Sequence, residues 1–324
     1  MEFRRLGKSG LEVSILGLGT NAFGWRVDKE ASIRVLHHAV ASGITFLDTA
    51  NIYAGTKSEE YIGEAFRGRR QEVLLATKAG MKRGEGPNSK GSSRQHIFKE
   101  LEGSLTRLQT DYIDLYQIHA FDPNTPLEET LRALDDLVTS GKVRYIGASN
   151  YSAWQMMKAL SISESQRLMK YVSVQPGYSL VDRGVERELV PFCLDQGIGL
   201  IPYFPLAGGI LTGKYAGGAV PNGSQLEKHP TFATRMDAMR MEVGDKVLKL
   251  AAEIGTTATA LSLAWLMHQP AVSTVIAGAT RESQIDDNLK AVDLKLSEDL
   301  LRALDEASEA FIYNRPFGSA PRRK

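Results

Sequence analysis

The chain has 324 residues, with 39 Lys and Arg against 38 Asp and Glu. It therefore carries no long-range field to attract nucleic acid or an anionic membrane surface, and any anion it binds must be held by local groups. The single cysteine, Cys193, excludes an internal disulfide and fits a reducing compartment. The basic N-terminal residues are followed by no apolar stretch and no run approaches the length of a membrane span, so the expected location is the cytoplasm.

Residues 3–14 read as a β-hairpin around the polar, glycine-containing turn LGKSGLEV. After it the chain settles into alternation. Strand patterns fall at 15–19, 45–48, 73–77, 113–119, 143–148, 172–174, 199–203 and 272–276. Helical patterns fall between them at 29–42, 94–108, 127–140, 152–160 and 184–196, with Gly43 and Gly141 as stops. Residues 57–63 look like the start of a further helix with Ser58 as its N-cap.

Eight strands alternating with helices predict the α/β class and a closed (β/α)8 TIM barrel. An open doubly wound sheet is the alternative. It is disfavoured because no G-x-G-x-x-G opens the first helix: the early glycines, GLGTNAFGW, stand at a strand end.

Three segments exceed the barrel rhythm. Residues 208–242 form a long polar loop of a length associated with function. Helical pieces at 243–254 and 257–267 stand where one would suffice, and a helix at 296–310 follows the last βα unit, whose helix is at 282–289. No linker or change of composition divides the chain, so 1–324 is expected to be one barrel domain with the hairpin 1–14, the loop 208–242 and the C-terminal helix and tail 296–324.

Chemistry gathers at the strand ends. The second strand ends in Asp48 with Tyr53 five residues on, the third places Lys78 at its end, and the fourth ends in His119. Taken singly, each is an ordinary turn, surface or half-buried residue. Together they occupy one level of an independently inferred barrel mouth, where side chains from several strands converge.

Their chemistry is also coherent. A phenol has an ordinary pKa near ~10, and a neighbouring ammonium lowers it by favouring the phenolate. Asp48 would keep Lys78 charged and in place, while His119 can donate a hydrogen bond to a carbonyl oxygen. Such a site can reduce a ketone or aldehyde if hydride is supplied by a cofactor, since the side chains hold none. A Schiff-base role for Lys78 is a weaker reading. No metal is expected, because His119 lacks ligand partners at metal spacing.

The motifs LDTANIY, ATKAG, YQIHAFDPNTPLEETLRALDDLVTSGKVRYIGASN and VIAGATRESQIDDN, in this order, resemble the aldo-keto reductase superfamily, in particular the general reductases similar to the potassium-channel β-subunits. The resemblance implies a catalytic tetrad of Asp48, Tyr53, Lys78 and His119, with Tyr53 as proton donor and NADPH as hydride donor; NADH is the less favoured cofactor.

It further implies that Ser149, Asn150 and Gln175 hold the nicotinamide carboxamide and that Tyr203 stacks on the ring. Phe204, Leu206, Gly208 and Lys214 follow where similar proteins grip the pyrophosphate. Gly19, Thr20 and Asn21, with Asp48 beside them, match the cofactor contacts at the first two strand ends. Gly278, Ala279, Thr280, Arg281, Gln284, Asp287 and Asn288 match the adenosine and 2'-phosphate site, where helix N–H groups and Arg281 suit phosphate oxygens.

Two departures stand out. Many relatives carry Arg in a GSRL-like motif where this chain has GSQL, so Gln225 offers no charge and NADPH preference rests on Arg281 and Lys214. Phe204 and Ala207 occupy positions that are often small or glycine in relatives. Phe23, Trp25, Met81, Phe121 and Tyr151 are the expected substrate pocket, an aromatic cluster suited to a small carbonyl compound with a flat or apolar part. The alternative to a reductase is a cofactor-sensing regulatory subunit with little turnover. Oligomeric state and substrate identity are not legible.

Overall fold

The computed structural model describes residues 1–218 and 237–313; Gln225, most of the 208–242 segment and the C-terminal tail lie outside the described residues. Eight parallel strands form one sheet in the order β10-β3-β4-β5-β6-β7-β8-β9. These are β3 (Leu16–Gly19), β4 (Phe46–Asp48), β5 (Leu74–Ala79), β6 (Ile113–Ile118), β7 (Val143–Ser149), β8 (Ser173–Gln175), β9 (Gly199–Leu200) and β10 (Val275–Gly278). The sheet closes on itself through a parallel bridge between Leu200 and Val272 and a hydrogen bond from Ile276 N to Pro202 O of 3.0 Å. The (β/α)8 barrel expected from the alternation is the observed fold.

The α-helices among the described residues are α1 (Lys29–Ala41), α2 (Lys57–Ala65), α3 (Arg94–Leu108), α4 (Leu127–Thr139), α5 (Ala153–Gln166), α6 (Leu189–Gln196), α7 (Ala238–Glu253), α8 (Ala258–His268), α9 (Glu282–Leu289) and α10 (Glu298–Ser308). The larger hydrophobic core lies where helices meet the outer face of the barrel. A smaller one, with Phe46, Ala76, Leu115, Ile201 and Ile276, joins barrel strands to Leu6 and Val13 of the N-terminal hairpin.

That hairpin, β1 (Phe3–Arg5) and β2 (Glu12–Ser14), packs where the strands begin. Lys8 N donates to Gly197 O at 2.8 Å, Gly7 N to Ser273 Oγ at 3.2 Å, and the Arg4 guanidinium to Met267 O and Val272 O. With one end plugged, the strands' C-terminal end is left for a site.

Several boundaries differ from the sequence expectation for identifiable reasons. The seventh strand, expected to reach 203, stops at Leu200 because Pro202 has no N–H for the ladder. The last strand, expected at 272–276, pairs with β3 only from Val275 to Gly278, since the chain at Val272 is still closing a turn with Gln269. The helix expected at 184–196 is a 3-10 turn, Gly184–Arg187, followed by α6; Pro191 cannot continue a helix through the carbonyl of Arg187. No single helix among the described residues is long and apolar enough to cross a membrane.

Candidate active site

Register sets the site. In the ladder Gly19 pairs with Asp48, Lys78 with Gln117 and Ser149 with Gln175, so these residues share one end of the barrel. Asp48 is 3% exposed and Lys78 fully buried. Lys78 Nζ donates to Asp48 Oδ2 at 2.6 Å and to Thr49 O at 2.8 Å. The other carboxylate oxygen, Oδ1, accepts from Gln175 Nε2 at 2.8 Å and Gln117 Nε2 at 3.3 Å. Burial is the largest influence and works against the Lys78 charge, but Asp48 and Tyr53 together raise the ammonium above its ordinary value.

Tyr53 sits on a tight turn, Tyr53–Thr56, between β4 and α2. Three successive residues there, Ala54 (φ 50), Gly55 (φ 67) and Thr56 (φ 97), adopt left-handed backbone. Such backbone is strained for Ala and Thr and persists only where the surroundings enforce it. Part of that enforcement is Ser58. Expected as an N-cap, it is instead buried, with its hydroxyl 2.7 Å from Thr20 Oγ1 and 2.9 Å from Thr49 Oγ1, tying the turn to the ends of β3 and β4. Thr56 takes the cap position and makes no side-chain cap bond.

The Tyr53 hydroxyl lies 3.4 Å from Lys78 Nζ. Burial is the largest influence on it and leaves the phenol above its ordinary value even though Lys78 pulls it down. The net lowering expected from the ammonium alone is therefore offset, and the phenol is protonated at neutral pH.

His119 follows β6, with its ring centroid 6.0 Å from that of Tyr53 at 80°. Burial, reinforced by Lys78, lowers its pKa to about 3, and its Nδ1 is buried without a hydrogen-bond partner among the described residues. The imidazole is thus neutral across the physiological range. Between pH 6.5 and pH 3 an unfolded chain binds a proton that folded His119 refuses, so this residue removes stability as pH falls through that window. Denaturation midpoints at pH 7 and pH 4.5 should separate more for the wild type than for His119→Asn.

A cleft of about 470 Å³ opens beside these residues, lined by Asp48, Tyr53 and His119 and by residues of five other strand ends. Of the residues singled out from sequence, Gly19, Thr20, Asn21, Ser149, Asn150, Gln175, Tyr203, Phe204, Leu206, Gly208, Lys214, Gly278, Ala279, Thr280 and Gln284 line it. Their bonds are connected: Tyr203 donates to Asn150 Oδ1 at 2.8 Å, Asn150 Nδ2 to His119 O at 2.9 Å, and Ser149 Oγ to Gln175 O at 2.9 Å. Asn150, Phe204 and Ala207 all have positive φ (58°, 53° and 46°), backbone that glycine adopts more readily than residues with a Cβ.

Others lie elsewhere. Arg281 donates to Ser283 Oγ at 3.1 Å outside the cleft lining, Asp287 pairs with Lys290, and Asn288 is buried. Phe23 is fully buried in the core, whereas Trp25 and Met81 are 55% and 40% exposed. Phe121 packs edge-on against Tyr151 at 5.3 Å, and Tyr151 is buried beside a second cavity on the far side of Asn150 and Tyr203.

Sequence reasoning missed two residues. Gln117 reaches Asp48 from the strand position two before His119, a spacing that marks the same barrel face and could have identified it. Arg26 lines the cleft from the loop after β3, and its position depends on that loop's turn geometry.

With this geometry in hand, a comparison with family models matches the aldo/keto reductase family over residues 15–309. The chain belongs to the aldo/keto reductase family. Aldo/keto reductases bind a nicotinamide cofactor, and the relatives found carry oxidoreductase and channel-subunit names. A probable voltage-gated potassium channel subunit beta of Arabidopsis thaliana is 40% identical over 304 residues, covering 91% of this chain and 92% of the relative. An uncharacterized oxidoreductase, YrpG, of Bacillus subtilis is 38% identical, covering 99% and 98%. The versiconal hemiacetal acetate reductase of Aspergillus parasiticus is 33% identical, covering 94% and 96%. As an aldo/keto reductase the chain is an oxidoreductase, and the tight strand-end cluster is where its chemistry is to be sought.

Proposed function

We propose that the chain reversibly reduces an aldehyde or ketone to an alcohol, with the proton given by Tyr53 and NADPH as cofactor. The observation that carries this is the Tyr53 hydroxyl, in the wall of an open cleft, 3.4 Å from the buried Lys78 Nζ. A bound reduced nicotinamide supplies hydride to the carbonyl carbon.

The chain's own groups do the rest. Neutral His119 offers an N–H that orients the carbonyl oxygen. Tyr53 Oη transfers its proton to that oxygen as negative charge develops, and the Lys78 ammonium stabilises the phenolate left behind. Asp48 holds Lys78 in place, and Gln117 and Gln175 hold Asp48. Reprotonation of Tyr53 restores the site.

The cleft fits such a cofactor. Among the described residues Asn150 Oδ1 accepts from the Tyr203 hydroxyl alone, and Gln175 Nε2 has a second N–H, as an amide partner requires. Gly209, at φ 103°, leaves room for Lys214: a Cβ there would lie 2.1 Å from Lys214 Cε. Exposed Trp25 and Met81 and half-buried Phe121 would face the substrate.

A second reading, a cofactor-sensing regulatory subunit, is favoured by the 40% identity to the plant channel subunit. A panel of generic aldehydes and ketones, followed at the absorbance of NADPH and NADH side by side, separates the two. The reductase reading expects turnover with at least one carbonyl class and faster rates with NADPH. Tight cofactor binding with no turnover would favour the sensor.

A further inference from the structure

Tyr53 opens a turn whose next three residues, Ala54, Gly55 and Thr56, all have left-handed backbone. A turn of that kind persists only where the structure on both sides of it is held. Ser58 supplies the hold after it. The hold before it is Asn51, and it comes from a helix that the proton-transfer chemistry does not touch.

Asn51 is fully buried two residues before Tyr53. Its backbone N–H donates to Lys78 O at 3.3 Å, and that of Thr49 donates to Ala76 O at 2.9 Å, so the chain leading to Tyr53 still follows β5. Its side chain reaches α3, where Nδ2 donates to Glu100 Oε2 at 2.7 Å. The residue is thus gripped by a strand through its backbone and by a helix through its amide.

Glu100 lies on the buried face of α3, with Ile97 one turn before it and Ser104 one turn after, and no part of it is exposed. The same Oε2 accepts from Arg83 Nη1 at 3.2 Å, a side chain that is 35% exposed. A buried ion pair is often no more stabilising than hydrophobic residues of similar volume. Here the pairing is also incomplete, since Glu100 Oε1 and Asn51 Oδ1 are buried with no hydrogen-bond partner among the described residues. What the carboxylate does provide is direction. Turning the Asn51 amide over would set Oδ1 against Oε2, two acceptors in contact, so the amide has one orientation. A charged acceptor also makes the stronger bond.

We propose that Glu100 is a positioning residue for proton donation: through Asn51 it fixes the start of the turn that places the Tyr53 hydroxyl. The proposal rests on the carbonyl-reductase reading. With Asn51 and Ser58 held on either side, the strained turn keeps Tyr53 Oη 3.4 Å from Lys78 Nζ. Arg83 serves Glu100 from its exposed side and is not part of that path.

The first turnover tests it. NADPH-loaded enzyme is mixed with a generic aldehyde and cofactor oxidation is followed at its absorbance, so product release does not enter. Asn51→Ala and Glu100→Leu should each slow that step roughly 10- to 100-fold, the effect of a misplaced reacting group, with NADPH affinity by calorimetry unchanged. Glu100→Gln keeps an oxygen for the Asn51 amide and should stay within a few-fold of the wild type, as should Arg83→Ala. In the Tyr53→Phe background neither Asn51→Ala nor Glu100→Leu should slow the residual reaction further, because both act through the missing hydroxyl.

Arg83 remains on Glu100 in Asn51→Ala, so that variant carries the test should Glu100→Leu not fold. Asn51→Ala with a first turnover as fast as the wild type's overturns the proposal. So does a variant that slows Tyr53→Phe as much as it slows the wild type, the mark of a general loosening of the fold. An equal loss in Arg83→Ala would move the effect to the Arg83 side of Glu100 and overturns it too. A wild type that binds NADPH but oxidises it with no carbonyl compound sinks the reductase reading and, with it, the positioning role; normal turnover in the wild type and in both variants sinks the positioning role alone.

Discussion

Tyr53→Phe should lower kcat for carbonyl reduction by about 10²- to 10⁴-fold, the range that general acid catalysis contributes, while cofactor affinity stays near that of the wild type. The substitution removes one oxygen from a ring whose position is otherwise set by the backbone of the Tyr53–Thr56 turn and by the Ser58 bonds beneath it. None of the bonds that Ser149, Asn150 and Gln175 make in the cleft wall runs through that hydroxyl. Loss of turnover with intact binding is therefore the expected signature. A variant that turns over within a few-fold of the wild type would remove Tyr53 from the mechanism, and parallel loss of binding would make its role structural.

Lys78→Met should act on stability as well as on rate. Lys78 is fully buried and Asp48 nearly so, and the ion pair between them is 2.6 Å long. Removing one partner of a buried pair leaves the other as an uncompensated charge, which destabilises by about 3–5 kcal/mol. After Lys78→Met, Asp48 keeps only the amides of Gln117 and Gln175. The double variant Asp48→Asn/Lys78→Met should recover part of the loss, because no charge is then stranded. Denaturant midpoints for the two single variants and the double measure this directly, and a double variant no more stable than Lys78→Met would contradict the pairwise account.

The two variants report on different consequences of one arrangement. Asp48 takes three side-chain donors, one on Oδ2 and two on Oδ1, so its carboxylate is fixed before Lys78 has any work to do on Tyr53. Lys78 in turn stays charged because Asp48 and Tyr53 together offset its burial. In the proposed mechanism, proton donation by Tyr53 is the last link of that chain.

The barrel was legible because its strands are buried on both sides and read as short apolar runs at regular intervals, and because Asp48, Lys78 and His119 close three of them. Boundaries were less so. Pro202 and Pro191 each act through a missing N–H, whose effect depends on which neighbour would have accepted or donated. Ser58 looked like a cap because Ser commonly is one, but Thr56 at φ 97° starts α2 and turns Ser58 inward. Gln117 escaped notice since an amide inside an apolar strand has no chemistry until its partner is known. Arg26 escaped because only the folded turn at Ala22–Val27 brings it to the cleft.

Hydride transfer is the central claim, and isotope tracing tests it most directly. With a carbonyl compound that the enzyme reduces and NADPH carrying deuterium on the transferring face of its nicotinamide ring, the alcohol should carry one deuterium on its carbinol carbon, matched mole for mole by oxidised cofactor. Tyr53→Phe should form little of that product under the same conditions. Alcohol without deuterium from either face of the labelled cofactor, or a tightly bound cofactor that no carbonyl compound oxidises, would contradict the account.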